Sequence, residues 1–140
     1  MTPDGGTGSA HLIVRVGGSL CALPADRVRR VVRNVSPHPV PGAEPPLLGL
    51  AQFGGEPMAV IDCGLLLDEV RSDGAAELVV AVRLTGGALV GLAVDEAVGM
   101  AQIDVRPGDE GRLVSGHSEL GGRTVRVLDS DALGRRREEG

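Results

Sequence analysis

Tryptophan and tyrosine are absent from this 140-residue chain, and Phe53 is its lone phenylalanine. Proteins that bind single-stranded nucleic acid stack bases on aromatic rings, so this composition argues against that class. A sugar-stacking site is disfavoured for the same reason. The formal net charge of −5 opposes binding to a phosphate backbone. Long apolar runs are missing too. The richest stretch, "LVVAVRLTGGALVGLAVDEAVGMA", is broken by Arg83, a glycine pair, Asp95 and Glu96, so it falls short of the ~18 residues that a membrane span needs. The opening "MTPDGGTGSA" has no basic start followed by an apolar segment, and residues 1–10 are expected to be a disordered tail. Cysteine is scarce, with Cys21 and Cys63 alone. Without a secretory signal they are expected to be buried free thiols, and the protein cytoplasmic, with no insertion into membrane.

Catalytic and metal-binding signatures are also lacking. His11, His38 and His117 have no i,i+4 partner among themselves, and no C-x-x-C occurs. No metal or cofactor is therefore expected. Both cysteines lie in apolar strand-like contexts, "SLCALP" and "VIDCGLL", where a thiol behaves as a small hydrophobe. Ser115 and Ser118 flank His117 without a strand–elbow–helix context. Asp95 with Glu96, and Asp129 with Asp131, could do acid–base work only if burial split their pKa values. Capping and solvation are the expected roles. "GGTGS" neither follows a strand nor opens a helix, so it implies no phosphate loop.

What the chain does have is glycine in pairs. Gly17–Gly18, Gly54–Gly55, Gly86–Gly87 and Gly121–Gly122 each sit between apolar segments. Glycine reaches positive φ without a Cβ clash, as short hairpin turns require. Four hairpins are therefore expected, in an all-β sandwich or barrel. The alternation agrees: Leu12, Val14 and Val16 share one face, as do Val125 and Val127. "ELVVAV" and "ALVGLAVD" are apolar throughout and predict strands buried on both faces. In "PADRVRRVVRNV", Val28, Val31, Val32 and Val35 recur at helical spacing amid four arginines. A short amphipathic helix is expected there, entered at Pro24 and Asp26 and running into a strand. "SPHPVPGAEPP" predicts an extended connector and "RPGDEGR" a loop. "DSDALG" predicts a short closing helix capped by Ser130 or Asp131, and residues 134–140 a frayed tail. An aliphatic β domain with an arginine-studded segment and a proline-rich arm fits a protein-interaction module.

The order of segments resembles the CheW family, the adaptors of bacterial chemotaxis arrays. "RVGGSLCALPADRVRRVV" is similar to the family's opening hairpin and V-x-E-[VI] segment. "PVPGAEPPLLGLAQFGGEPMAVID" is similar to its P-x-x-P-x-x-[IV]-x-G-[VI]-x-N-L-R-G-x-[VI]-x-P-[VI]-[VI]-D-L signature. "ALVGLAVDEAVGMAQI" is similar to its G-[LI]-x-V-D-x-V-x-x-V segment, and "GGRTVRVLDSDAL" resembles its closing strand and helix. The match runs from His11 to Leu133. It implies two five-stranded SH3-like β-barrel lobes around a shared hydrophobic core, with one or two short helices. It implies no catalysis. It implies a scaffold that couples a chemoreceptor's cytoplasmic tip, in the groove between lobes, to the regulatory domain of a CheA-type histidine kinase.

Carried over residue by residue, the resemblance nominates Val28, Arg30, Val31, Gly49, Gln52, Phe53, Gly54, Val98 and Met100 as partner-binding. Asp62 and Asp95 match two family aspartates, for which turn and strand-end hydrogen bonding is the expected role. Two positions depart from the pattern. Arg30 stands where the family has glutamate, and Gly54 where it has arginine, with Gln52 at the family's asparagine. Ala59 replaces a family proline. One charge is reversed and another is missing, so a one-sided paralogue that binds only receptor or only kinase is the second expectation. A hydrolase or ligand-binding barrel that kept the fold is the third. It requires a polar pocket where His117 meets carboxylates.

Overall fold

The structure is a computed structural model, and it describes residues 8–69, 77–108 and 113–133. The strands are β1 (Ser9–Val16), β2 (Ser19–Pro24), β3 (Val28–Arg33), β4 (Leu47–Phe53), β5 (Glu56–Asp62), β6 (Leu78–Arg83), β7 (Leu89–Ala93), β8 (Glu96–Ile103), β9 (Arg106–Pro107), β10 (Val114–Leu120) and β11 (Arg123–Leu128). One short helix, α1 (Cys63–Leu67), follows β5. The strands form two sheets, one in the order β9-β10-β11-β2-β1-β8 and the other β3-β6-β7-β5-β4. The six-stranded count includes the two-residue β9 at its edge. Each sheet holds one parallel pair, β2 with β11 and β5 with β7.

All four glycine pairs lie in turns between paired antiparallel strands. At Gly54–Gly55 and Gly121–Gly122 both residues have positive φ, between 58° and 82°. That conformation matches the twist of a two-residue hairpin and costs glycine least. The turn at Gly86–Gly87 is longer, with Gly87 N–H donating to the Leu84 carbonyl at 2.9 Å.

Strand alternation builds three hydrophobic clusters. Leu12, Val14, Val16 and Leu23 from one sheet meet Ile61, Leu78, Val80, Val82, Val90 and Leu92 from the other. This cluster is the core the sheets share. The opposite faces turn inward on each lobe. Ile13, Leu20, Ala22, Val125 and Val127 pack within the six-stranded sheet, and Met58, Val60, Val79, Ala81 and Ala93 within the five-stranded one. β6 and β7 are therefore buried on both faces, as their uniform apolarity predicts. Burying each such Val or Leu is worth roughly 1.5–3 kcal/mol relative to exposure, which is how an aromatic-poor chain assembles its core.

Several local expectations change. The amphipathic helix over "PADRVRRVVRNV" is absent. A three-residue 3-10 turn, Ala25–Arg27, leads directly into β3. The register of β3 against β6 slips between Val28 and Arg30, so Arg29 sits at a bulge. One extra residue places Val28 and Val31 on the same face, against the shared core. A bulged strand thus reproduces the i,i+3 spacing of a helix. Cys63 opens α1 rather than lying in a strand. Arg106–Pro107 forms β9 at the start of the expected loop, whose residues 109–112 lie outside the described residues. The last helical turn, residues 131–133, is capped by Asp129, whose side chain accepts from Asp131 N–H at 3.0 Å. β1 begins at Ser9, while residues 1–7 and 134–140 lie outside the described residues. No helix among the described residues is long and apolar enough to cross a membrane.

Candidate partner-binding surface

The nine nominated residues lie on three strands that end a sheet, or on the turn beside one. Val28, Arg30 and Val31 belong to β3; Gly49, Gln52 and Phe53 belong to β4, with Gly54 in the turn that follows; Val98 and Met100 belong to β8. An edge strand leaves half its backbone hydrogen-bonding groups without a sheet partner, so it is a place where other chains dock.

The nine do not form one patch with one chemistry. Val98 is 53% exposed and Met100 62% exposed, so β8 presents two aliphatic side chains to solvent. Val28 and Val31 are half-buried and pack against the shared core. Phe53 is half-buried against the cluster of Met58 and Val60, so its ring serves packing. Gln52 and Arg30 are exposed.

Gly49 is buried, and its role is explained by a backbone contact. A Cβ there would collide with the carbonyl of His38. That close approach lets His38 and Leu50 exchange backbone hydrogen bonds of 2.8 and 2.9 Å. The proline-rich connector is thereby tied to the outer edge of β4. Gly54 differs, since a Cβ there would meet nothing within 4 Å, although its φ is 61°.

Two grooves flank these edges. The first is apolar, about 280 Å³, and lined by Leu47, Leu50, Ala59, Ile61, Leu66 and Leu133 among others. The second, about 630 Å³, lies where the five-stranded sheet brings its two edge strands towards each other without closing. Val32, Arg33, Asn34 and Val35 line one side, and Leu50, Ala51, Gln52 and Pro57 the other. Arg30, Gly54, Val98 and Met100 line neither groove. Sequence reasoning missed the apolar groove because its walls come from separate segments. It also missed Leu65, 53% exposed on α1.

Polar side chains near these surfaces serve mainly as ties. Asp62 caps α1, accepting from Gly64 N–H at 2.9 Å. Asp95 accepts from Gly17 N–H at 2.7 Å and so fixes the first hairpin turn. These are the turn and strand-end roles expected of the two aspartates. Glu69 accepts from the Ser19 hydroxyl at 2.6 Å and from Gly18 N–H, and pairs with Arg126 at 3.0 Å. The Ser19 hydrogen bond contributes most to holding its carboxyl below the ordinary range, followed by Gly18 N–H, with Arg126 adding to them. Beside the Gly54 turn, Arg83 bonds Glu56 at 3.1 Å and lowers that carboxyl likewise. Arg27 reaches Thr85 at 2.7 Å and Asp131 at 3.5 Å.

Catalytic geometry does not assemble around His117. It is exposed on β10, opposite Arg126 in the register, and lines neither groove. Among the described residues no group of three or more His, Cys, Asp or Glu side chains could hold a metal ion. Cys21 and Cys63 are buried and in no disulfide.

Two curled sheets on a common core, with aliphatic edges and an apolar groove, define a docking module of the β class. Comparison with known families agrees, since the family model described as CheW-like domain matches residues 10–138. The chain belongs to that family. Among solved structures, it is similar to the scaffolding protein TtCheW from Thermoanaerobacter tengcongensis, with a TM-score of 0.78 and 19% identity over 87% of this chain and 89% of that one. That likeness establishes the fold. No curated protein matches the chain. Family membership supports a scaffold role in chemotaxis.

Proposed function

We propose that this protein is a non-catalytic adaptor of a bacterial chemosensory pathway, working in the cytoplasm and recruited to receptor arrays. It couples the cytoplasmic tip of a chemoreceptor to the regulatory domain of a CheA-type kinase. The observation that carries this reading is the aliphatic pair of β8, Val98 and Met100, which stand exposed on a strand that ends its sheet among the described residues. Exposed aliphatic side chains grouped on one edge fit a surface that another protein covers. The apolar groove supplies a second contact surface of the same character. The test is co-purification with the receptor tip and the kinase regulatory domain encoded in the same genome. Retention of both is expected, and failure to bind either would sink the reading.

A one-sided paralogue is the second reading, favoured by Arg30 and Gly54. Arg30 is exposed with no ion pair among the described residues, and Gly54 offers no side chain at its turn. A reversed charge penalises a partner built to meet a carboxylate. Retention of one partner but not the other supports this version. Arg30→Glu combined with Gly54→Arg then strengthens the missing contact, at a conformational cost of about 1–2 kcal/mol for arginine at positive φ. No change in either affinity would refute that account of the two departures.

A further inference from the structure

β3 carries a concentration of positive charge that the other described residues do not neutralise. Arg29, Arg30 and Arg33 are exposed along its six residues, in a chain of net charge −5. Among the described residues Arg29 donates only to the Asp26 backbone carbonyl, at 3.0 Å. Arg30 and Arg33 make no hydrogen bond or ion pair among the described residues. The exposed carboxylates that flank the strand, Asp26 and Glu77, pair with none of the three. By contrast Arg15, Arg27, Arg83 and Arg126 each meet an acidic side chain.

The same strand is an open edge. Among the described residues β3 pairs with β6 alone. At the other end of this sheet β4 is partly covered, because the connector's His38 engages both backbone groups of Leu50. The groove next to β3 has room for the side chains of an added strand, and its described lining contains no carboxylate.

We infer that the open edge of β3 takes an extended acidic segment of a partner protein, added as a further strand and held by Arg30 and Arg33. This deepens the adaptor reading and rests on it, since it gives the chemistry of one partner at that docking surface. Strand addition supplies the backbone bonds, and the alternation of residues on the strand selects side chains. Charge sets the choice of partner, with like charge rejected. A nucleic acid or an anionic membrane would meet the arginines too, but the net charge of the whole chain repels both, and neither uses an open strand edge.

The probes are a ten-residue peptide of repeating Glu-Glu-Val-Val, which presents Glu on both faces of an extended strand as Arg30 and Arg33 require, its Lys–Val counterpart, a single-stranded oligonucleotide and anionic lipid vesicles. The readout is amide hydrogen exchange of the full chain, resolved by residue. The Glu–Val peptide is expected to slow exchange at least about tenfold across Val28–Arg33, with no comparable effect on β8. The charge-reversed pair Arg30→Glu with Arg33→Glu is expected to weaken that peptide about tenfold or more, as loss of close charge pairs does elsewhere. Both positions are exposed, and an unchanged thermal midpoint verifies that the variant folds. The inference is overturned if β3 is not protected, if the Lys–Val peptide protects it equally, or if the variant binds unchanged. Protection of β3 by oligonucleotide or vesicles instead would also overturn it, and arginines that merely block edge-to-edge aggregation would leave every probe unbound. Because the peptide needs neither receptor nor kinase, these results are independent of the co-purification. A wild-type chain that binds both partners alongside an unprotected β3 refutes this inference and leaves the adaptor reading intact.

Discussion

At the scale of single residues, two glycines a few positions apart obey different physics. Gly49 is needed because another backbone lies against it, whereas Gly54 is needed only for its turn. Gly49→Ala should cost about 3 kcal/mol or more, as overpacking and backbone displacement do. Gly54→Ala should cost about 1–2 kcal/mol from positive φ alone. Urea unfolding midpoints of the two variants give the comparison. Gly49 and Gly54 look alike in "LLGLAQFGGEPMAVID", because the close approach comes from His38, eleven residues earlier and outside that stretch. Cys21 provides a second check. Burial pushes its thiol up to about 11, with Arg126 pulling the other way. It should resist a thiol-specific disulfide reagent at pH 8 in the native protein and react once the chain is unfolded in guanidinium.

At the scale of elements, the strands were legible wherever alternation was unbroken. Glycine pairs marked the turns, and β6 and β7 were apolar on both faces because each face meets a different cluster. β3 was misread for a definite reason, since the bulge at Arg29 converts period-two alternation into an i,i+3 pattern. Periodicity alone does not separate a short helix from a strand with one extra residue. The candidate surface was legible only through resemblance. Nothing in the local sequence around Val98 says that β8 ends its sheet, because edge position is decided by which strands pair. β8 also carries a prediction. Val98→Asp with Met100→Asp should shift stability by less than about 0.5 kcal/mol per position, as exposed substitutions do. Binding to at least one chemosensory partner should fall more than about tenfold, as loss of aliphatic anchors at an interface does. Calorimetry of the variant alongside a pull-down separates the two effects.

At the scale of the whole molecule, Glu69 links three parts of the chain: the residues after α1, the first hairpin turn and β11. Its carboxyl and that of Glu56 are both lowered from 4.5. A carboxyl held low in the folded state adds stability above its unfolded value, and that stability is lost as pH falls through the folded value. Thermal midpoints should therefore decline as pH drops below about 4.5, and Glu69→Gln should flatten part of the decline. A Glu69→Gln profile that overlays the wild type would refute that share. The topology has a further consequence, for biosynthesis. The five-stranded sheet is built from one continuous stretch, Val28 to Ala93, whereas the six-stranded sheet pairs Leu20 of β2 with Val125 of β11. On the ribosome the five-stranded lobe can finish first, while the first hairpin emerges before it and waits for β11, which follows it. Until β11 leaves the exit tunnel, one side of β2 stays open to wrong partners, so the interval between the synthesis of β2 and that of β11 is the one in which this fold is most exposed to mispairing.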